Sequence, residues 1–154
     1  MTQKELQTAF NIPDSCITPC NKIHKVSENK VSFLLDRSKA VSDKFWCIQV
    51  YNCMITSDLH EKCDFVFIRQ KKDNRKEFYF VELKNALIVK AYSQIVTTIK
   101  EHFKSPPKRE CYGFIVANRV PSGTDVQNLR KKFVRDIGAD LIVKSNTYTH
   151  TPSV

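Results

Sequence analysis

The chain has 154 residues, carries 25 Lys and Arg against 16 Asp and Glu for a net charge of +9, and holds six Cys but only three Gly. That length suits one domain with a sizeable core and excludes both a tandem of domains and a disulfide-stapled miniprotein. No apolar run approaches the ~18 residues of a membrane-crossing helix, and the opening Met1-Thr2-Gln3-Lys4-Glu5 reads as lacking a secretory signal, so a cytoplasmic protein with no membrane partner is expected. The positive charge makes a polyanion the first partner to consider, because Lys and Arg displace counterions from nucleic acid.

Cys16, Cys20, Cys47, Cys53, Cys63 and Cys111 show no CxxC spacing, and several sit among Phe, Ile, Val and Tyr, where a thiol behaves as a small hydrophobe. All six read as free thiols in a reducing compartment. Cys16-x3-Cys20-x3-His24 has ligand-like spacing for zinc but no evident fourth ligand.

In chain order, Leu6 and Phe10 predict a short helix capped by Thr2, and residues 11–30, with Pro13 and Pro19, read as a loop. Strands are expected at 31–35 and 45–51, the second extending toward Ile55. The runs at 64–68 and 78–81 are apolar without polar alternation, which predicts central strands covered on both faces, joined by a polar hairpin tip at 71–76. Ile88, Ala91, Tyr92, Ile95, Ile99 and Phe103 give a helix over 86–103, stopped by Pro106 and Pro107. A strand at 111–117 follows. Thr124 with Gln127 forms a capping-box pattern for a helix striped by Val126, Leu129, Phe133 and Ile137, Gly138 ends it, and a last strand spans 140–143. This order predicts an α/β fold, a mixed sheet with a helix on each side. The expected organisation is an N-terminal helix and loop arm over 1–30, a core over 31–144 and a tail over 145–154.

The chemistry concentrates in Asp64, Glu82-Leu83-Lys84 and Gln94. Side chains alternate along a strand, so Glu82 and Lys84 emerge on one face, about 6–7 Å apart at their Cα atoms. A three-residue loop at Lys72-Asp73-Asn74 sets Asp64 opposite Glu82, where two carboxylates and an amine converge. A slip of one residue moves Asp64 to the other face. Carboxylates hold Mg2+ or Mn2+, the metal activates water and neutralises charge on phosphorus, and a lysine orients the water or supports the developing charge. Lys84 fits either role, base or electrostatic stabiliser.

Other basic groups have two readings each. Arg69, Lys71, Lys72, Arg75 and Lys76 at the hairpin tip either grip a phosphate backbone beside the site or form a solvated turn. Arg130, Lys131, Lys132 and Arg135 on the late helix divide the same way, and His60 lies near Asp64 in sequence.

The arrangement resembles the PD-(D/E)xK nuclease superfamily over roughly residues 31–143. Cys63-Asp64 stands in place of the Pro-Asp pair, Glu82-Leu83-Lys84 matches the ExK tripeptide, and Lys90 and Gln94 fall on the helix where members often carry a further polar residue. The resemblance implies a restriction-endonuclease-like mixed β-sheet flanked by helices on both faces. It also implies metal held by Asp64, Glu82 and the Leu83 carbonyl, water activated by Lys84, Gln94 contacting water or substrate, and Lys90 on the nucleic-acid side. Many members carry an acidic residue ahead of the sheet; Glu28 is the first candidate here, with Glu5 and Glu61 behind it. The implied activity is a Mg2+- or Mn2+-dependent endonuclease hydrolysing phosphodiester bonds in defence or repair, DNA favoured over RNA, as a homodimer or a subunit of a larger complex. The rival is a non-catalytic nucleic-acid-binding or regulatory subunit retaining the same fold.

Overall fold

A computed structural model of the chain describes residues 1–84, 88–104, 106 and 110–154. Its first element, α1 (Gln3–Phe10), opens on a closed capping box: the Glu5 N–H donates to Thr2 Oγ1, and the Glu5 carboxylate accepts the Thr2 N–H. Strands β1 (Ile17–Pro19), β2 (Ile23–Glu28), β3 (Val31–Asp36), β4 (Lys44–Gln49), β5 (Phe65–Gln70) and β6 (Lys76–Lys84) follow. The chain continues through α2 (Ile88–His102), β7 (Cys111–Ala117), α3 (Gly123–Asp136), β8 (Asp140–Ser145) and β9 (Thr147–His150). The helix expected over 86–103 thus has described residues only from Ile88; Ala86 and Pro107 lie outside the described residues.

Six strands form one mixed sheet in the order β1-β4-β5-β6-β7-β8. The pairings β1–β4, β4–β5 and β5–β6 are antiparallel, whereas β6, β7 and β8 run parallel to one another. A three-stranded sheet, β2-β3-β9, is antiparallel on one side of β3 and parallel on the other.

The β5–β6 register is the expected one, running from Phe65 opposite Val81 to Gln70 opposite Lys76. At the tip the Lys71 N–H donates to the Arg75 carbonyl at 2.8 Å and the Asn74 N–H to the Lys71 carbonyl at 3.0 Å. Asn74 takes φ 69°, the left-handed position that a three-residue hairpin loop requires and that Asn tolerates.

Alternate residues of the central strands enter two separate cores. Val66, Ile68, Phe78 and Phe80 pack with Trp46 and Ile48 against Ala91, Ile95 and Ile99 of α2 and Phe133 of α3. Phe67, Tyr79, Val81, Phe114 and Val116 pack against Val26, Val31, Phe33 and Leu35 of the small sheet. The central strands are therefore covered on both faces, as expected, but not by helices on both: one cover is helical and the other is a sheet. The crossovers from β6 to β7 and from β7 to β8 step the same way across the sheet, and right-handed connections then put both helices on one side. The face left open is closed by β2, β3 and β9.

Residues 11–30 are not a loop, and 145–154 is not a plain tail. They supply β1 at the edge of the large sheet, and β2 and β9 on either side of β3. The cap of α3 also differs: Ser122, not Thr124, accepts the Asp125 N–H, at 3.4 Å.

The cysteines are not all free. Cys16 and Cys53 form a disulfide, while Cys20, Cys47, Cys63 and Cys111 are buried thiols. Pairing of β1 with β4, Ile17 opposite Ile48, brings the chain at Cys16 beside the turn that follows β4. The disulfide removes Cys16 from the ligand-like run, and His24 Nδ1 accepts the Asn21 N–H at 3.3 Å. Among the described residues no helix is long and apolar enough to cross a membrane.

Candidate active site

Asp64 precedes β5 and Glu82 lies near the end of β6, so the antiparallel hairpin delivers both to one edge of the sheet. Asp64 is fixed at three atoms. Its N–H donates to the Val81 carbonyl at 3.2 Å, its carbonyl accepts the Val50 N–H at 2.9 Å, and its Oδ2 accepts the Leu83 N–H at 2.9 Å. Alternation from Phe78 and Phe80 puts Glu82 and Lys84 on the face that carries α2. Glu82 is only 1% exposed; its Oε2 stands 3.2 Å from Lys84 Nζ, and its Oε1 is buried with no hydrogen-bond partner among the described residues.

Burial, reinforced by the neighbouring Asp64 carboxylate, pushes Glu82 up to about 9, against the pull of Lys84. Burial likewise raises Asp64, opposed by the Leu83 N–H, the Glu82 carboxyl and Lys84. Glu28, at the end of β2, reaches the Asp64 carboxyl from the small sheet and is raised by burial and then by that charge. The carboxyls thus form a row, Glu28 against Asp64 and Asp64 against Glu82, with Lys84 beside the last.

Two buried carboxyls with one unpartnered buried oxygen fit a cation, which would offset the burial that raises both Asp64 and Glu82. Asp64 and Glu82 are the residues able to hold it. In an extended strand a residue's N–H and C=O point toward the same neighbour, so the Leu83 carbonyl lies on the Asp64 side as well. Among the described residues, no three His, Cys, Asp or Glu side chains are grouped so as to hold a metal ion.

Gln94 does not hydrogen-bond Asp64 or Glu82. Its Nε2 donates to the Lys62 carbonyl at 3.2 Å, and its Oε1 is buried with no partner among the described residues. Thr98, one turn later on α2, accepts the Cys63 N–H at 2.9 Å and donates to the Gln94 carbonyl at 2.8 Å. Together they clamp the segment that enters Asp64. Lys62, buried, closes the preceding loop by donating to the Ser57 and His60 carbonyls at 2.5 and 3.2 Å. Sequence reasoning missed Thr98 and Lys62; the available signal was a Thr one turn beyond Gln94 within a buried stripe.

The other candidates separate clearly. Glu61 accepts from Ser93 and Thr97 of α2, and Glu5 belongs to the α1 cap. The hairpin tip lies at the opposite end of β5 and β6, ~20 Å from Glu82 for six residues at strand rise, so its basic residues are not beside the carboxylates. Arg69 is no surface grip: it is 2% exposed, pairs with Asp43 and Glu77 at 2.7 and 3.0 Å, and donates to the Ser153 carbonyl. Its strand position, pointing inward beside two acids, overrides its residue type. Lys71 pairs with Glu77 and Arg75 with Asp73, while Lys72 is exposed and Lys76 half-buried. Lys90 is exposed on α2, as are Arg130, Lys131, Lys132 and Arg135 on α3. His60 faces the His102 ring edge-on at 6.4 Å.

Compared with known proteins, the chain matches no protein-family model, no curated protein and no solved structure.

Proposed function

We propose that the chain is a nuclease that hydrolyses phosphodiester bonds with Mg2+ or Mn2+ at Asp64, Glu82 and Lys84. The observation that carries the reading is Glu82, a buried carboxylate whose one oxygen meets Lys84 while the other has no partner among the described residues. A divalent cation bound at the two carboxylates supplies a Lewis acid for the phosphate and lowers the pKa of water.

The chain's own groups set the geometry. The Leu83 N–H holds Asp64 in one orientation. Lys84, tethered by Glu82, presents an ammonium to the attacking water and to charge growing on the phosphate. Gln94 and Thr98 keep the approach to Asp64 rigid. Glu28 stands beside Asp64 but does not complete a three-carboxylate metal group among the described residues. The preference for DNA rests on the superfamily resemblance.

The test is nicking of supercoiled plasmid and cutting of labelled DNA and RNA, with EDTA, Mg2+ or Mn2+. Cutting is expected only with metal, and Lys84→Ala is expected to abolish it while leaving binding nearly intact. Binding without metal-dependent cutting of any substrate overturns the proposal in favour of a non-catalytic binding or regulatory subunit.

A further inference from the structure

One strand beyond Lys84 the sheet edge opens into a groove of about 720 Å3, between the start of α2, the turn after β7 and the first turns of α3. It belongs to the same edge as the carboxylates, because the Asn118 N–H donates to the Lys84 carbonyl at 3.0 Å and the groove wall begins at the next residue, Arg119. Crevices outside the carboxyl ends of parallel strands are where sheets of this kind hold ligands. The wall is aliphatic, from Ile88, Val89, Val120 and Leu129, with Arg119 and Asn128 contributing polar groups. Asp125 also lines it, but its carboxylate is within 3.2 Å of the Ser122 hydroxyl in the α3 cap.

We infer that this groove receives the base of an unpaired nucleotide next to the phosphodiester at Asp64 and Glu82, so that the site takes single-stranded or locally opened nucleic acid rather than intact duplex. The inference rests on the nucleic-acid reading of the site. Aliphatic walls suit the two faces of a heterocycle, and these are free only when the base has left its stack. An Asn amide offers a donor and an acceptor in one plane, matching the edge of a base. Arg119 adds a cation for the phosphate that follows. A purely apolar ligand would have no use for these two side chains, and the net charge of +9 favours a polyanion.

The full-length protein is titrated, in EDTA, into fluorescently labelled single strands of DNA and of RNA and into the matching duplexes. Single strands are expected to bind about tenfold or more tightly than duplex, since only an unstacked base can enter the groove. Val89→Asp and Asn128→Ala, both at exposed positions, are expected to narrow the gap. Val134→Asp, an exposed apolar position elsewhere on α3, introduces the same charge and is expected to leave it unchanged.

Equal affinity for duplex and single strand, or equal losses from Val89→Asp and Val134→Asp, overturns the inference. The DNA and RNA arms identify which sugar the groove accepts. Groove-dependent binding of single strands without metal-dependent cutting sustains this inference and sinks the nuclease proposal. Cutting that ignores both the groove variants and strandedness does the reverse.

Discussion

Asp64 and Leu83 are joined across the β5–β6 hairpin by a 2.9 Å hydrogen bond from the Leu83 N–H to Asp64 Oδ2. The bond places one carboxylate against another on the adjacent residue, Glu82, and the burial that follows costs free energy whenever both are charged. A cation that binds only the folded site recovers that cost.

Mn2+ at about a hundredfold excess over its Kd is therefore expected to raise the unfolding midpoint by roughly 5–10 °C. Glu82→Gln is expected to remove most of the shift. Scanning calorimetry of the two proteins with and without metal checks this; equal shifts would show that the ion binds elsewhere.

Arg69→Ala leaves Asp43 and Glu77 without their shared partner inside the protein. It is expected to cost about 3–5 kcal/mol, read from the urea midpoint, while the salt dependence of nucleic-acid binding stays as it was. Loss of a phosphate contact with little change in stability would put Arg69 back among the surface cations.

Gly113→Ala brings a methyl group to 3.0 Å from both Leu141 Cδ1 and Phe133 Cζ, where β7 passes beneath α3. Overpacking of this kind is expected to cost about 1–3 kcal/mol. Adding Phe133→Leu is expected to recover part of the loss, so a double-mutant cycle in denaturant should be non-additive.

His150 is enclosed by the rings of Tyr79, Tyr112 and Phe114, and burial draws its pKa down to about 4, with Glu77 opposing and Arg69 assisting. The unfolded chain takes up this proton near 6.5, before the folded protein does. Stability is thus complete above about pH 6.5 and falls as the pH drops toward 4. His150→Phe is expected to flatten that limb in unfolding midpoints measured across the window; an unchanged slope would assign it to other groups.

The register of the central hairpin was legible in the sequence because two aromatic runs flank a polar turn, and a shift by one residue would expose a whole face. The proximity of Asp64, Glu82 and Lys84 followed from it. Arg69 was illegible because residue type speaks for the surface, and only the inward pleat beside Asp43 and Glu77 reverses that. β2 escaped notice because Val26 is its lone buried residue, so it lacks the alternation of a half-buried strand. The disulfide has no spacing signature, since its halves meet only once β1 has paired with β4. Placement of both helices on one face depends on crossover handedness, which composition does not carry.

The small sheet joins the chain's early and late residues, with Ser32 of β3 facing Thr147 of β9. While the protein is being synthesised, β3 can form its hairpin with β2 at once, yet the backbone groups that meet β9 stay open until residues 147–150 leave the ribosome. The aromatic layer around Phe33 and Phe114 remains incomplete for the same interval, because Tyr148 of β9 stacks on it. The β9 side of β3 therefore stays open to misassociation until β9 has emerged, and trimming β9 is expected to turn a buried central strand into an adhesive edge.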